Sequence, residues 1–105
     1  MNLLIIGGGG REHAIAWKVS QSSKVENIFV SPGNVGINLE EKVSLVELEN
    51  PTIEDYINLA KQKNIYLTIV GPEAPLVQGI VDEFKKNNLE IFGPNKLAAQ
   101  LEGSK

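Results

Sequence analysis

Cysteine is absent from this chain of 105 residues, and histidine, tryptophan and methionine occur once each. Without cysteine there are no disulfides and no thiolate metal sites, which fits a reducing compartment and gives a cytoplasmic expectation. One histidine and no cysteine leave no nucleophile–base pair, no metal-ligand cluster and no carboxylate dyad in evident spacing. The chain is therefore expected to hold neither a catalytic residue nor a metal. An excess of basic charge is also missing: 10 Lys and Arg stand against 13 Asp and Glu, for a net charge of −3. No basic run exceeds Lys85-Lys86, so the electrostatic footprint of a nucleic-acid binder is lacking. Long apolar runs are missing too. The opening Leu3 to Ile6 is too short for a signal-peptide core and no basic residue precedes it. No stretch approaches the length of a membrane span, so no membrane partner is expected.

What remains is an ordinary globular composition, 42% hydrophobic and 22% charged. The length suits one domain over residues 1–105. Short β-branched runs alternate with helical patterns. The runs are Leu3–Ile6, Ile28–Val30, Val43–Val46, Tyr66–Val70 and Glu90–Phe92. The first and fourth are almost wholly apolar, as central strands of a parallel sheet covered on both faces should be. The spacing predicts helices from Glu12 to about Ser20, from Asn50-Pro51-Thr52 onward, from Pro75 to Lys86, and from Asn95 through Leu101. Ile53, Tyr56, Ile57 and Ala60 line one face of the second; Leu76, Val77, Ile80, Val81 and Phe84 line one face of the third. Strand–helix alternation of this kind predicts an α/β fold, a Rossmann-like doubly wound parallel sheet with helices on both faces. Trp17 and Tyr56 are expected in helix–sheet packing.

The most unusual stretch is Gly7-Gly8-Gly9-Gly10-Arg11-Glu12-His13, at the end of the first strand. A dinucleotide fingerprint needs a third small residue in G-x-G-x-x-G, and an acid at the tip of the second strand. Here the third position is Glu12 or His13, and the second strand ends Phe29-Val30-Ser31-Pro32. A nucleotide-binding domain of an oxidoreductase is thus the alternative rather than the first reading. A P-loop needs G-K-[ST] and finds Gly10-Arg11-Glu12. Bare backbone amides at a helix start nonetheless suit a phosphate or another anion. A tight turn whose glycines serve packing alone is the competing explanation. Arg11 suits a phosphate partner or a solvated surface position; His13 suits an anion contact or a structural role. Gly71-Pro72-Glu73-Ala74-Pro75 follows the strongest strand. It would lie beside the glycine loop if the first strand is central, with Glu73 facing a sugar hydroxyl or amine, or serving as a helix-start acid. Ser31-Pro32-Gly33-Asn34-Val35-Gly36 forms a third loop on that rim, with Gly33 and Asn34 read first as turn formers.

Taken together with the closing Ala99-Gln100-Leu101-Glu102-Gly103-Ser104-Lys105, these loops resemble, in order and over essentially the whole chain, the N-terminal domain of the phosphoribosylamine–glycine ligase family. The resemblance implies an ATP-grasp ligase of purine biosynthesis that joins glycine to 5-phosphoribosylamine through a glycyl phosphate, using ATP and Mg²⁺ or Mn²⁺. It implies that ATP and metal are held by C-terminal ATP-grasp domains of a longer chain. This part would then be a substrate-binding domain, inactive alone. It further implies substrate-binding roles for Gly8, Gly9, Gly10, Arg11, Glu12 and His13 on the phosphate side. Gly71, Pro72, Glu73 and Pro75 would lie on the sugar side, with Gly33 and Asn34 nearby.

Overall fold

In the computed structural model, which describes residues 1–38, 41–71 and 77–93, every strand pair is parallel. The strands are β1 (Asn2–Gly7), β2 (Asn27–Pro32), β3 (Val43–Leu45), β4 (Ile65–Val70) and β5 (Ile91–Phe92). They form one sheet in the order β3-β2-β1-β4-β5. The chain winds outward from β1 through β2 to β3, returns across β1 to β4, and continues to β5. Winding therefore reverses between β1 and β4, the place where open α/β sheets keep their ligand crevice. The register sets Ile6 beside Ser31 on one side and Val70 on the other.

The helices are α1 (Gly10–Ser20), α2 (Val35–Asn38), α3 (Ile53–Gln62) and α4 (Val77–Lys86). Strand periodicity divides β1 between two cores. Leu4 and Ile6 pack with Tyr56, Ile57, Leu59 and Ala60 of α3 and with Ile80 and Phe84 of α4. Leu3 and Ile5 pack with Ala16 of α1, Val25, Ile28, Val30 and Ile37. Both faces are thus covered, as the nearly continuous apolar sequence of β1 requires. Each fully buried side chain of this kind contributes roughly 1.5–3 kcal/mol. Together these make the sheet a stiff platform for the loops at its carboxyl edge.

Three sequence expectations are refined. Helix α1 begins at Gly10 rather than Glu12, because Gly9 is already its N-cap. Pro51 precedes the N-cap of α3 instead of lying in its first turn. The N-cap is Thr52, whose hydroxyl accepts from the Asp55 amide at 3.1 Å while the Asp55 carboxylate accepts from the Thr52 amide at 2.8 Å. That reciprocal pair is a capping box. Trp17, expected in packing, is 51% exposed, on the outer side of α1, whereas Tyr56 is buried as expected. Helical periodicity explains the difference, since α1 turns Ala16 and Ser20 inward and Trp17 is a turn-step away from both. The short α2 was not legible as a helix. Gly36 and Asn38 are weak helix formers, and four residues show no period. The helix expected from Asn95 lies outside the described residues, as do Pro75 and Leu76 at the predicted start of α4.

Replacing Thr52 with Ala removes one half of the capping box, and the expected loss is about 1 kcal/mol. Urea unfolding should show Asp55→Ala costing less in the T52A background than in the wild type, because the two bonds belong to one motif.

Candidate functional site

The four consecutive glycines divide among three elements. Gly7 ends β1, Gly10 opens α1, and only Gly8 and Gly9 lie between them. The turn is therefore two residues long, and it delivers the start of α1 directly onto the sheet's carboxyl edge beside the β1–β4 reversal.

The four glycines are not bare for the same reason. Gly7 has φ +144°, a conformation that side chains disfavour, and a Cβ there would collide with the Glu12 carboxyl group. A Cβ on Gly8 would stand 2.8 Å from the carbonyl oxygen of Gly33, a backbone atom that cannot easily yield. At Gly9 only the Glu12 carboxylate oxygens approach, at ordinary contact distances of 3.7 and 3.9 Å. At Gly10 nothing lies within 4 Å. Packing thus accounts for Gly7 and Gly8. It places no demand on Gly9 and Gly10, which are exposed. A side chain at either position would obstruct only what approaches from outside.

The helix start is also electrostatically open. The first bond of α1 runs from the His13 amide to the Gly9 carbonyl at 3.1 Å. Gly9 has no side chain to cap the turn, so the amides of Gly10, Arg11 and Glu12 precede the first intrahelical acceptor with no side-chain cap. Their dipoles add to the helix field and favour an anion by about 0.3–1 kcal/mol, with about 1.5–3 kcal/mol for each hydrogen bond to a charged group. Arg11 is exposed beside them.

Glu12 does something different. It is only 6% exposed, and its carboxyl group is turned inward into the space left by the missing Cβ atoms of Gly7 and Gly71. An added Cβ on either glycine would stand 2.8 Å from its carboxyl carbon. Gly71 is itself buried, and its amide donates to the Ile6 carbonyl at 2.8 Å, which keeps the tip of β4 against β1. The carboxyl group therefore sits at the floor of the reversal point, between the tips of the two central strands. A carboxylate about 4 Å from a bound anion would be opposed by roughly 4 kcal/mol at an effective dielectric near 20. Glu12 is accordingly unsuited to touch a phosphate.

Gly33 and Asn34 stitch the third loop to the first. The Gly33 amide donates to Gly7 at 3.0 Å, and the Asn34 side-chain amide donates to the Gly8 carbonyl at 2.6 Å. The Asn34 side-chain oxygen accepts from the Ile37 amide at 3.0 Å and so fixes the start of α2. Gly33 has φ +69°, and a Cβ there would strike Leu45. These residues hold the turn in place, in line with their reading as turn formers. His13 lies half-buried at the contact of α1 with α2; a Cβ on Gly36 would stand 3.2 Å from its Cε1 atom. The structure thus brings Gly8, Gly9, Gly10, Arg11, Glu12, His13, Gly33, Asn34 and Gly71 together on one rim. Pro72, Glu73 and Pro75 lie outside the described residues. The structural work of Glu12 against Gly7 and Gly71 was missed in the sequence. The glycine after β4 was its only signal.

The sequence as a whole matches a known family. The family described as phosphoribosylglycinamide synthetase, N domain, matches residues 1–102. The chain belongs to this family. Among its relatives is the phosphoribosylamine–glycine ligase of Pasteurella multocida, 60% identical over all 105 residues of this chain, which cover 24% of that protein. The ligase of Haemophilus influenzae is 59% identical over the same span and share, and that of Clostridium acetobutylicum 57%, covering 25%. The chain thus spans about a quarter of the length of the curated relatives it matches. The parallel sheet and two-faced packing are those expected of a Rossmann-like N domain. Among the described residues no helix is long and apolar enough to cross a membrane.

Two neighbouring glycine substitutions should separate packing from access. Gly8→Ala forces the Gly33 carbonyl to move and should cost about 1–3 kcal/mol. Gly10→Ala should be neutral, or stabilising by up to about 1 kcal/mol, because α1 loses a flexible residue in its first turn. Chemical denaturation of both variants reads the difference. A third comparison concerns Gly71→Ala. Its cost should shrink by about 0.5–3 kcal/mol when Glu12 is also replaced by Ala, since the two then no longer compete for one space.

Proposed function

We propose that this domain grips the phosphate of 5-phosphoribosylamine on the amides at the start of α1, with the sugar directed toward the turn after β4. The observation that supports this most is the pair Gly9 and Gly10. They are exposed and unconstrained by packing, and they stand at a helix start where the sheet's winding reverses. Bare amides at that place suit a phosphate monoester. Arg11 would add a charged donor at the edge. Gly71 and the following Pro72, Glu73 and Pro75 would form the sugar-side wall. Gly33, Asn34 and His13 would hold the phosphate loop from behind.

In the full-length protein this reading makes the domain the substrate-positioning part of a ligase. That ligase joins glycine to phosphoribosylamine, gives glycinamide ribonucleotide, and acts in purine biosynthesis in the cytoplasm. Phosphoribosylamine is a labile glycosylamine whose amine must meet an activated carboxyl group. Holding its phosphate on a rigid rim turns that encounter into an oriented one, an effect that reaches about 7–11 kcal/mol in well-aligned systems. ATP supplies the activation of the glycine carboxylate, and with Mg²⁺ or Mn²⁺ it would be held by ATP-grasp domains of the same protein. The described residues do not suit a metal, since no group of three His, Cys, Asp or Glu side chains stands close enough to hold one. A dinucleotide site has less support: Ser31 and Pro32 occupy the tip of β2, where a ribose-binding acid would belong.

In the full-length ligase, Gly9→Val should raise the KM for phosphoribosylamine by about 10- to 150-fold, the equivalent of one charge-assisted hydrogen bond. The KM for ATP and for glycine should stay within about twofold, and the melting temperature should hold. An unaltered KM for phosphoribosylamine would refute the phosphate assignment.

A further inference from the structure

Glu12 presents a problem that the phosphate reading leaves unsolved. Carboxylates are rarely buried without partners, because desolvation costs more than packing returns. Glu12 is 94% removed from solvent, by its 6% relative exposure, yet among the described residues no group donates a hydrogen bond to it and no cation pairs with it. Three residues it stands against, Gly7, Gly9 and Gly71, offer no side-chain donor. The carboxyl group is not sealed in, however. Thr68 Oγ1 is the one partnerless buried side-chain atom among the described residues that is wholly closed off. Its carboxylate oxygens stand beside Gly7, Gly9 and Gly71, between the β1 turn and the tip of β4. A buried acceptor with no donor among the described residues, beside a bare helix start, suits a ligand's polar hydrogen.

We propose that Glu12 receives a hydrogen-bond donor, O–H or N–H, carried by the same molecule whose phosphate rests on the α1 amides. The inference rests on the phosphate reading above and deepens it. The site has two signs. Amide hydrogens at Gly10 and Arg11 face outward to take an anion, and a carboxylate lies inside to take a polar hydrogen. A bare anion satisfies one half and is repelled by the other. A phosphorylated sugar or glycosylamine, with hydroxyl or amine groups a few ångströms from its phosphate, satisfies both. Glu12 thereby becomes a specificity-determining residue that sorts sugar phosphates from inorganic phosphate. The bareness of Gly7 and Gly71 is what lets its carboxyl group reach that place.

The test uses the full-length protein with two probes, inorganic phosphate and ribose 5-phosphate, titrated by calorimetry against wild type and Glu12→Gln. Gln keeps the shape and one acceptor oxygen but adds donors and removes the charge. Wild type is expected to bind ribose 5-phosphate at least tenfold more tightly than phosphate. In E12Q that preference should fall to threefold or less, while phosphate affinity stays level or rises. Equal loss of both probes in E12Q would overturn the proposal and leave Glu12 a packing residue. A preference that survives in E12Q would overturn it too. Both results leave the phosphate reading standing. Failure of wild type to bind either probe would bring down that reading, and the proposal with it. Should E12Q fold poorly, ¹³C NMR of the Glu carboxyl carbons in wild type decides the matter. The Glu12 signal should move with ribose 5-phosphate and not with phosphate, and a signal that stays still with both overturns the proposal. Phosphoribosylamine, added as a third probe, separates the two donor types. A further gain in affinity over ribose 5-phosphate that E12Q abolishes identifies the amine, and equal affinity identifies the hydroxyls; either supports an acceptor role for Glu12.

Discussion

The rim of this domain depends on one contact, between the carboxyl group of Glu12 and the two places where strands β1 and β4 carry no side chain. Helix α1 crosses the reversal point of the sheet closely because Gly7 and Gly71 leave room for that group. In dinucleotide-binding folds, close approach of the first helix is allowed by a small residue on the helix itself. Here the economy is made on the strands, and the helix contributes a large polar side chain. The helix field at this end of α1 favours a negative charge and lowers the cost of burying one. The result is a carboxyl group between the strand tips and bare helix-start amides beside it, groups of opposite electrostatic character.

The surroundings of that contact are fixed by hydrogen bonds to backbone carbonyls. β1 is hydrogen-bonded on both sides and buried on both faces, so its last residue cannot drift. Gly33 and Asn34 bind the carbonyls of Gly7 and Gly8, and Gly71 binds that of Ile6. Three loops are thereby tied at their bases while the amides of Gly10 and Arg11 remain turned outward. A site built in this way loses little entropy when a ligand arrives, because the protein groups are already ordered.

Much of the fold was legible because its signals are local. The apolar runs of β1 and β4 marked central strands, and Asn50-Pro51-Thr52 marked a helix start. The spacing of Tyr56, Ile57 and Ala60 gave the inner face of α3. Other features escaped for physical reasons. Trp17 is as hydrophobic as any core residue, and only the rotation of α1 puts it outside. Helix α2 is too short to have a period, and its cap is a contact between Asn34 and Ile37 that any turn could contain. The glycine run looked like one loop, although three elements share it.

The amino-acid sequence by itself determined the alternation of strands and helices and the presence of bare backbone at a helix start. Those follow from residue type and from spacing along the chain. Only the tertiary structure decided which glycines answer to packing and which do not, because that depends on atoms more than twenty residues away: the Gly33 carbonyl for Gly8, and Gly71 on the neighbouring strand for Glu12. It also decided that Glu12 faces inward between two strands. No periodicity predicts that placement, since the space it fills exists only once β1 and β4 lie side by side.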